Sequence, residues 1–264
     1  MSFFEGYLVA LLVVTFLMTS LWISSVFLND VSIIDRFWGL GFVLISWTLF
    51  LLSDVTSIDS TVLVALVSIW GIRLSIHIHL RNRGSAEDFR YQEMRRKDPD
   101  KFWWKSYIRV FLLQGVLMLI ICAPIVTLMA SSTEGPSYWS IMGFLLWAVG
   151  FFFEAVGDLQ LKKFKQNPSN KGKLLTTGLW SLTRHPNYFG DACQWWGFGV
   201  FAFTIQPYGF LSFLGPIFMT LLIIKVSGVD LLEKSLATSK PGYREYVKNV
   251  PSFIPRFPFR KKTS

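Results

Sequence analysis

The sequence predicts an all-α integral membrane protein, a bundle of about seven transmembrane helices. Of its 264 residues, 52% are hydrophobic and 17% are aromatic, and the mean hydropathy is +0.43. An ordinary soluble domain is not expected to have this composition. Long apolar runs recur along the whole chain, and lysine and arginine collect in only a few of the segments that separate them. Because the sequence contains no internal repeat and no low-complexity linker, we expect residues 1–264 to form a single domain.

Each apolar run is long enough to cross a bilayer as a helix, since about 20 residues span the hydrocarbon layer. The first run follows a start without basic residues and has no small-residue cleavage site, so we expect a retained span rather than a removed signal peptide. The sixth run opens with polar residues and is the least regular. In chain order, the predicted spans are residues 7–28, 35–53, 61–80, 107–130, 138–158, 187–205 and 208–229.

The positive charges predict the orientation. Lysine and arginine are concentrated in three regions: residues 81–109, residues 162–184 and the residues after 225. Residues 54–60 and 131–137 contain none, so the three basic regions should be cytoplasmic and the N-terminus outside. Loop charge and attraction to anionic lipids then explain the net charge of +9 without nucleic acid as a partner. The basic tail favours a bacterial inner membrane, although Lys261 and Lys262 also fit retrieval to the endoplasmic reticulum.

A polar segment, W-S-L-T-R-H-P-N-Y-F-G-D at residues 180–191, lies between two apolar runs. Arg184 and His185 can bind anionic groups, and Asn187 and Asp191 can form directional hydrogen bonds. If a helix starts near the proline, Asn187 and Asp191 lie one turn apart on one face. The segment is either a capped loop at the membrane edge or a binding site. A dense cluster of polar groups at a membrane favours a site.

Other polar residues lie at the predicted cytoplasmic ends of spans. Asp35 opens the second span, Arg73 and His77 are one turn apart in the third, and Glu154 and Asp158 are one turn apart in the fifth. We expect these side chains to surround one pocket. Each has an alternative role, since Asp35 could cap a helix, Arg73 could extend toward the interface and His77 could be interfacial. Glu154 lies within F-F-F-E-A-V-G-D and needs a partner to offset its burial.

Metal sites and soluble nucleotide-binding folds are not supported. The histidines are His77, His79 and His185, and the H-x-H pair on a helix points to different faces, so we expect no metal site. Cys122 and Cys193 lie in apolar runs and indicate neither a disulfide framework nor a metal site. The sequence contains no G-x-G-x-x-G after a strand, no P-loop and no G-x-S-x-G.

Residues 175–197, with T-T-G-L-W-S-L-T-R-H-P-N-Y-F-G-D followed by Q-W-W-G, resemble the C-terminal core of the steroid 5α-reductase superfamily, which includes the sterol C14 and C7 reductases. Over nearly its whole length the chain resembles one membrane branch of that superfamily. The shared motifs read W-G-I-R-L at 70–74, E-D-F-R-Y at 87–91 and S-G-V-D-L-L-E-K at 227–234. Isoprenylcysteine carboxyl methyltransferases have a related core, so S-adenosylmethionine is the alternative cofactor.

The resemblance implies a seven-helix bundle that holds NADPH between its helices and its cytoplasmic cofactor-binding loops. In the steroid enzymes, a glutamate on span two and a tyrosine on span three polarise the substrate carbonyl, and Asp35 and Trp70 fall near those positions. Trp70 has no hydroxyl, which argues against a 3-oxo-steroid substrate. Asp35 or His77 would then be the acid that stabilises the developing enolate. The resemblance and the chemistry of the polar segment together predict the cofactor-binding residues: Arg73, Glu154, Asp158, Lys165, Lys173, Arg184, His185, Asn187, Tyr188 and Asp191. Glu233, Lys234 and Tyr246 are weaker candidates.

The residues and the resemblance together indicate an NADPH-dependent reductase of a carbon–carbon double bond. We expect its substrate to be hydrophobic and membrane-partitioned, such as a steroid-, sterol- or prenyl-lipid-like enone, and to enter from the lipid through spans rich in Phe, Trp and Leu. Two alternatives stay open. One is a methyltransferase that uses S-adenosylmethionine, and the other is a non-catalytic lipid-binding membrane protein.

Overall fold

The computed structural model describes residues 1–53, 57–130, 136–203, 205, 207–226, 229, 233 and 240–256. Every regular element in these ranges is a helix, which confirms the all-α class. Five helices within them are long and apolar enough to cross a membrane, so the exact count of seven spans is not confirmed. The chain divides into two compact units. Unit 1 comprises residues 1–140 and 201–215, and unit 2 comprises residues 141–200 and 216–264.

Unit 1 begins with three long apolar helices: α1 (Phe3–Leu28), α2 (Ile33–Leu52) and α3 (Ile58–Asn82). A capping box starts α1, since Ser2 Oγ accepts from the Glu5 amide at 3.3 Å and the Glu5 carboxylate accepts from the Ser2 amide at 2.7 Å. Asn29, in the left-handed region at φ 52°, ends this helix. A Cβ on Gly39 of α2 would lie 2.5 Å from the carbonyl oxygen of Gly71 in α3. Glycine at both positions therefore lets these helices pack closely.

The fourth predicted span is divided into shorter helices. After α4 (Phe89–Lys97), one continuous helical stretch comprises α5 (Phe102–Ser106), a π-helical turn (Tyr107–Leu112) and α6 (Leu113–Ile121). The stretch ends at Cys122, where ψ is 1°. Helix α7 (Ala123–Met129) then begins with Pro124 in its first turn, where the missing amide donor is tolerated. All residues of α7 are buried.

Most of α8 (Tyr138–Gln166) belongs to unit 2, which also contains most of α9 (Pro186–Ala202), most of α10 (Leu214–Leu221) and all of α11 (Tyr243–Asn249). Helix α9 corresponds to the sixth predicted span and has 17 residues. The seventh corresponds to a 3-10 turn (Gly209–Phe213), α10 and a π-helical turn (Leu222–Val226). Both are shorter than the five long helices.

Glycines bring α8 and α9 into close contact. A Cβ on Gly190 would lie 2.4 Å from the Glu154 amide nitrogen and 2.5 Å from the Gly150 carbonyl oxygen. A Cβ on Gly150 would lie 2.6 Å from the Gln194 amide nitrogen. Only glycine fits at such an approach. The contact sets polar side chains of the two helices side by side.

Candidate functional site

Two hydrogen-bonded pairs connect α8 and α9. Gln194 Nε2 donates to Glu154 Oε2 at 2.6 Å, and Asn187 Nδ2 donates to Asp158 Oδ1 at 3.1 Å. We call these four residues the amide–carboxylate ladder. Its Glu154–Gln194 rung is closed, because the two residues are 3% and 0% exposed. The other rung is more open, because Asn187 is only half-buried.

The ladder gives Glu154 the partner that the sequence analysis required, but the partner itself was missed. Gln194 lies within the apolar run of the sixth predicted span, where a single amide attracts little notice. A usable signal existed, because Gln194 follows Asn187 by seven residues and so lies on the same helix face.

Helix α9 begins with Pro186, which meets the condition for placing the polar residues of the motif on one helix face. Asn187 and Asp191 therefore lie one turn apart on one face, and both are half-buried. Tyr188 is half-buried as well, and its ring stacks on His185 with 5.6 Å between the centroids.

Arg184 and His185 bind groups of the protein itself rather than facing an open site. Arg184 Nε and Nη2 donate to Glu233 Oε1 at 2.9 and 2.7 Å, and Arg184 Nη1 donates to the carbonyls of Val247 and Val250 at 3.2 and 2.6 Å. His185 Nε2 lies 3.2 Å from the same Glu233 oxygen. The side chains of Arg184 and His185 are 8% and 4% exposed. The anion beside Arg184 is thus a carboxylate of the S-G-V-D-L-L-E-K segment.

The loop before α9 is also tied to the C-terminal segment, residues 240–256. The Arg184 amide donates to the Pro251 carbonyl at 2.9 Å. Three further bonds are Thr183 Oγ1 to the Phe253 carbonyl at 2.8 Å, the Arg256 amide to the Leu182 carbonyl at 2.9 Å, and the Tyr246 hydroxyl to the Trp180 carbonyl. Trp180 in turn donates from its indole nitrogen to the Gly157 carbonyl of α8 at 3.1 Å. The loop is therefore held from both sides.

Burial controls the ionisation of His185 in this loop and of Tyr246, which bonds to it. It lowers the pKa of His185 below its usual range, with a smaller contribution from the Arg184 charge, and the bond to Glu233 offsets this only in part. The imidazole is therefore neutral at neutral pH. Burial raises the pKa of the Tyr246 phenol, which keeps its proton.

Several lysines follow Asp158 along the chain. Lys162 lies one turn beyond Asp158 on α8, and Lys165 and Lys173 lie farther along the same stretch. All three side chains are exposed, as are those of Lys163 and Lys171. The cofactor role predicted for Lys165 and Lys173 stays a prediction.

A second polar cluster lies in unit 1 around Asp35. Tyr91 donates from its hydroxyl to Asp35 Oδ1 at 2.9 Å, and Arg90 Nη2 donates to Asp35 Oδ2 at 3.1 Å. Arg90 Nε also donates to Asp88 Oδ1 at 2.8 Å. Burial and the charge of Asp35 raise the pKa of the Tyr91 phenol. Burial opposes ionisation of Asp88, but the bonds from Arg90 outweigh it and leave the pKa of Asp88 below its usual value.

The E-D-F-R-Y motif attaches α4 to the turn between α1 and α2. Glu87 Oε1 accepts from the Val31 amide at 2.8 Å, and the Asp88 amide donates to Ser32 Oγ at 2.9 Å. Arg95 Nη2 donates to Glu87 Oε1 at 2.8 Å. The motif by itself gave no sign of the contacts of Arg90 and Tyr91 with Asp35, because Asp35 lies more than 50 residues away along the chain.

The other predicted residues of unit 1 lie on α3. Trp70 is fully buried, and its ring centroid is 5.8 Å from that of Phe42. Arg73 and His77 are half-buried and lie one turn apart. Asp35 belongs to unit 1 and Glu154 to unit 2, so the expected common pocket stays a prediction.

Of the three weaker candidates for the cofactor site, two have a described hydrogen-bond partner. Glu233 is the partner of Arg184, and Tyr246 bonds to a loop carbonyl. Lys234 lies outside the described residues.

Comparison with known proteins adds a family to this geometry. A family model described as a protein of unknown function (DUF1295) matches residues 21–250. An uncharacterised protein of Schizosaccharomyces pombe is 24% identical to this chain. The alignment is 287 residues long, gaps included, and covers 95% of this chain and 80% of that protein.

Two relatives named for an activity match over shorter stretches. The probable O-methyltransferase ustE of Ustilaginoidea virens is 45% identical over 75 residues, which are 27% of this chain and 26% of the relative. Steroid 5-alpha-reductase DET2 of Gossypium hirsutum is 29% identical over 77 residues, which are 29% of this chain and 30% of the relative. The matches thus span less than a third of either enzyme.

Proposed function

Since this chain belongs to the DUF1295 family of the steroid 5α-reductase-like superfamily, we propose that it is an NADPH-dependent reductase. The bond reduced would be a carbon–carbon double bond in a hydrophobic substrate that partitions into the membrane, such as a steroid-, sterol- or prenyl-lipid-like enone. When bound, the nicotinamide supplies the hydride. The match to a protein named steroid 5-alpha-reductase supports this reaction class.

The observation that carries the proposal is the open rung of the ladder. The Asn187 amide can both donate and accept a hydrogen bond, and Asp158 can accept one, so together they fit a carboxamide or the hydroxyls of a ribose. Negatively charged phosphates need cations, and the exposed lysines on α8 and after it offer them. These are Lys162, Lys163, Lys165, Lys171 and Lys173.

Within this proposal, Arg184 and His185 are positioning residues rather than phosphate ligands. Glu233 already satisfies the Arg184 guanidinium, and both side chains are nearly fully buried. Their role is to hold the loop so that Asn187, in the first turn of α9, lies opposite Asp158.

The cofactor assignment is tested by titrating NADPH fluorescence in detergent with the full-length protein. Asn187→Ala removes a half-buried hydrogen-bonding group and should weaken NADPH binding by about 1–3 kcal/mol. Asp158→Ala should have a similar effect. Asn82→Ala in unit 1 is the matched control and should bind NADPH as the parent does. Unchanged affinity in both ladder variants would contradict the assignment.

A second candidate is a methyltransferase that uses S-adenosylmethionine. The 45% identity to a probable O-methyltransferase favours it, although the match covers 27% of this chain. The open rung also fits ribose hydroxyls in S-adenosylmethionine, whereas the exposed lysines have no phosphate to bind there. Salt dependence therefore separates the two ligands, since NADPH binding should weaken as ionic strength rises.

Retained nucleotide decides between the candidates. The protein is extracted in mild detergent, purified and analysed for bound small molecules by mass spectrometry. NADP(H) supports the reductase, and S-adenosylmethionine or S-adenosylhomocysteine supports the methyltransferase. If neither is retained and neither binds in titration, the remaining reading is a non-catalytic lipid-binding protein.

A further inference from the structure

An arginine lies inside the fourth apolar stretch of the chain. The stretch from Phe102 to Ile121 is one of the five in the described residues that are long and apolar enough to cross a membrane. Arg109 is seven residues after Phe102, or roughly 10 Å along the axis at a rise of about 1.5 Å per residue. About 20 residues span the hydrocarbon layer, so the backbone of Arg109 lies within that layer when the stretch crosses the bilayer.

The neighbours of Arg109 show that its side of the helix faces lipid. Ile108 and Leu112 are 52% and 48% exposed, and Arg109 lies between them along the chain and is exposed as well. Val110 and Phe111, in the same π-helical turn, are buried. Exposed apolar side chains at this depth contact lipid tails. The Arg109 side chain therefore leaves the protein on its lipid side.

The charge of Arg109 needs a partner from outside the chain. Among the residues that the structure describes, none forms an ion pair or a side-chain hydrogen bond with its guanidinium. A charged side chain inside the hydrocarbon layer is costly, and it extends toward the nearest headgroups to lower this cost. Lipid phosphates lie there, and they match the planar donor fork of an arginine.

Two tryptophans before Arg109 mark the headgroup layer. Trp103 and Trp104 are 54% and 40% exposed, and tryptophans collect at the membrane–water interface. Trp103 is held in place, because its carbonyl accepts from Trp22 Nε1 at 2.8 Å. Trp104 is five residues before Arg109. The arginine thus lies just below the aromatic layer and can extend toward it.

Two lysines lie on the same side of the stretch. Lys101, Lys105 and Arg109 are four residues apart and so follow one side of the helix. Lys105 pairs with Asp98. Lys101 is exposed, but the exposed Asp100 beside it offsets part of its charge. Arg109 is therefore the main cation that this side offers to a phosphate.

We propose that Arg109 binds the phosphate of an anionic phospholipid, in the leaflet that the charge bias predicts to be cytoplasmic. The phosphate would lie between the guanidinium and the aromatic layer, and one acyl chain would lie along Ile108 and Leu112. A lipid with a net negative charge fits better than a choline lipid, because choline brings a cation of its own to the site. We call Trp104, Ile108, Arg109 and Leu112 the lipid-phosphate site. It shares no residue with the amide–carboxylate ladder and goes beyond the proposed function.

The test compares three lipids with the same two oleoyl chains: dioleoyl phosphatidylglycerol, dioleoyl phosphatidylcholine and dioleoylglycerol. Native mass spectrometry of the purified full-length protein in detergent resolves individual bound lipids and gives their dissociation constants. The first phosphatidylglycerol should bind about fivefold more tightly than phosphatidylcholine, the factor expected for one cation near an anionic lipid. Dioleoylglycerol has no phosphate and should bind most weakly. Equal binding of the three lipids would overturn the proposal.

Variants locate the phosphate. Arg109→Gln should remove the preference for phosphatidylglycerol, and Arg109→Lys should keep most of it because the charge stays. Arg83→Gln is the matched control, since Arg83 is exposed in the same basic region but lies just beyond the end of α3. This control should bind both lipids as the parent does. A preference kept in Arg109→Gln, or lost equally in Arg83→Gln, would overturn the assignment.

Thermal unfolding measures the same binding without counting lipids. Phosphatidylglycerol that binds the folded protein should raise its Tm in detergent, since a ligand of the native state stabilises it. The rise should be smaller in Arg109→Gln than in the parent and in Arg83→Gln. Equal rises in all three proteins would place the lipid elsewhere and overturn the assignment.

Soluble phosphates separate a lipid site from a site for a free phosphate. Millimolar glycerol 3-phosphate or NADPH should leave the bound phosphatidylglycerol in place, because neither brings an acyl chain to Ile108 and Leu112. Displacement by glycerol 3-phosphate would assign a free phosphate to Arg109, and displacement by NADPH would assign the cofactor. Either result would overturn the proposal. Loss of NADPH binding in Asn187→Ala bears only on the proposed function, so the two proposals fail separately.

Discussion

At the scale of single residues, the hydroxyl of Tyr91 is the feature of unit 1 with the clearest chemical use. It donates to Asp35 at 2.9 Å, and burial keeps its pKa raised, so it carries a proton at neutral pH. Trp70, which the resemblance places near the tyrosine of the steroid enzymes, lacks such a group. Within the proposed reductase, Tyr91 is therefore a better candidate for the proton donor than Asp35 alone.

Tyr91→Phe and Asp35→Asn should each slow NADPH-dependent reduction of an enone by roughly 10²- to 10⁴-fold, with NADPH affinity kept. Tyr107→Phe is the matched control, since its hydroxyl bonds to Thr19 at 3.2 Å and not to Asp35. The assay is NADPH consumption against a panel of enones and prenylated lipids. If both variants are active and His77→Phe is not, the acid is His77. If all three are active, the carry-over of catalytic residues fails.

The buried pair of Arg184 and Glu233 should contribute strongly to stability. Glu233→Gln leaves the guanidinium without its anion, and breaking a buried pair costs about 3–5 kcal/mol, less here because Glu233 is 24% exposed. We expect a lower Tm in detergent and faster proteolysis within residues 240–256. The double variant Arg184→Gln with Glu233→Gln should recover part of the loss. A Tm equal to that of the parent in Glu233→Gln would contradict this role.

His185 gives this region a pH dependence with a defined sign. Its pKa is lowered in the folded protein, so the unfolded chain binds a proton more readily. The stability contribution is present above the unfolded pKa of about 6.5 and is lost as the pH falls through the folded value. The Tm of the parent should therefore decrease below about pH 6.5. His185→Gln should remove that part of the decrease, whereas an identical pH profile would exclude His185 as its source.

At the scale of elements, the contact of α8 with α9 should tolerate no added carbon. Gly190→Ala would set a Cβ 2.4 Å from the Glu154 amide nitrogen and so force the helices apart. We expect a loss of about 1–3 kcal/mol of stability from overpacking and weaker NADPH binding through the displaced ladder. Gly84→Ala is the control, since a Cβ there has nothing within 4 Å and meets only the strain of a positive φ. Equal NADPH affinity in the two variants would exclude the displacement.

Much of the helix pattern could be predicted from local sequence, and the exceptions have physical reasons. The first, second, third and fifth spans follow from apolar length, and the start of α9 follows from its proline. The break at Cys122 could not be predicted, because the apolar run continues through it and only Pro124 marks the change. Helix α4 could not be predicted, because contacts with residues distant in sequence, such as the ion pair of Arg90 with Asp35, stabilise it rather than an apolar face.

Part of the candidate site could also be predicted, because some of its features depend on local sequence alone. Asn187, Asp158 and Glu154 could be singled out because helical spacing is a local property, and in the structure they pair between α8 and α9. The partner of Arg184 could not be found, because Glu233 is 49 residues away and either a ligand or a side chain would satisfy a buried guanidinium. A motif rich in charge indicates where a polar network lies. It does not show which of its side chains have their partners within the protein and which bind a ligand.

At the scale of the whole molecule, the charge bias predicts the orientation of the chain in the membrane. Cysteines introduced at Ser85 and Ser169 should face the cytoplasm and one at Ser132, which lies outside the described residues, should face the other side. An impermeant maleimide added to intact cells should therefore label only the cysteine at position 132. Labelling at position 85 in intact cells would mean that the orientation is wrong.

Unit 1 is not continuous along the chain, and this has a consequence for the order of assembly. Helix α7 is buried on every side and packs against the 3-10 turn at Gly209–Phe213. Tyr208 beside that turn stacks on Phe3, with 4.5 Å between the ring centroids. During synthesis this turn emerges only after α8 and α9 have been made. During synthesis, one side of α7 therefore stays uncovered until the turn at Gly209–Phe213 has been made. A chain that stops at residue 140 should be recognised by membrane quality control and degraded rather than persist as a stable half-protein.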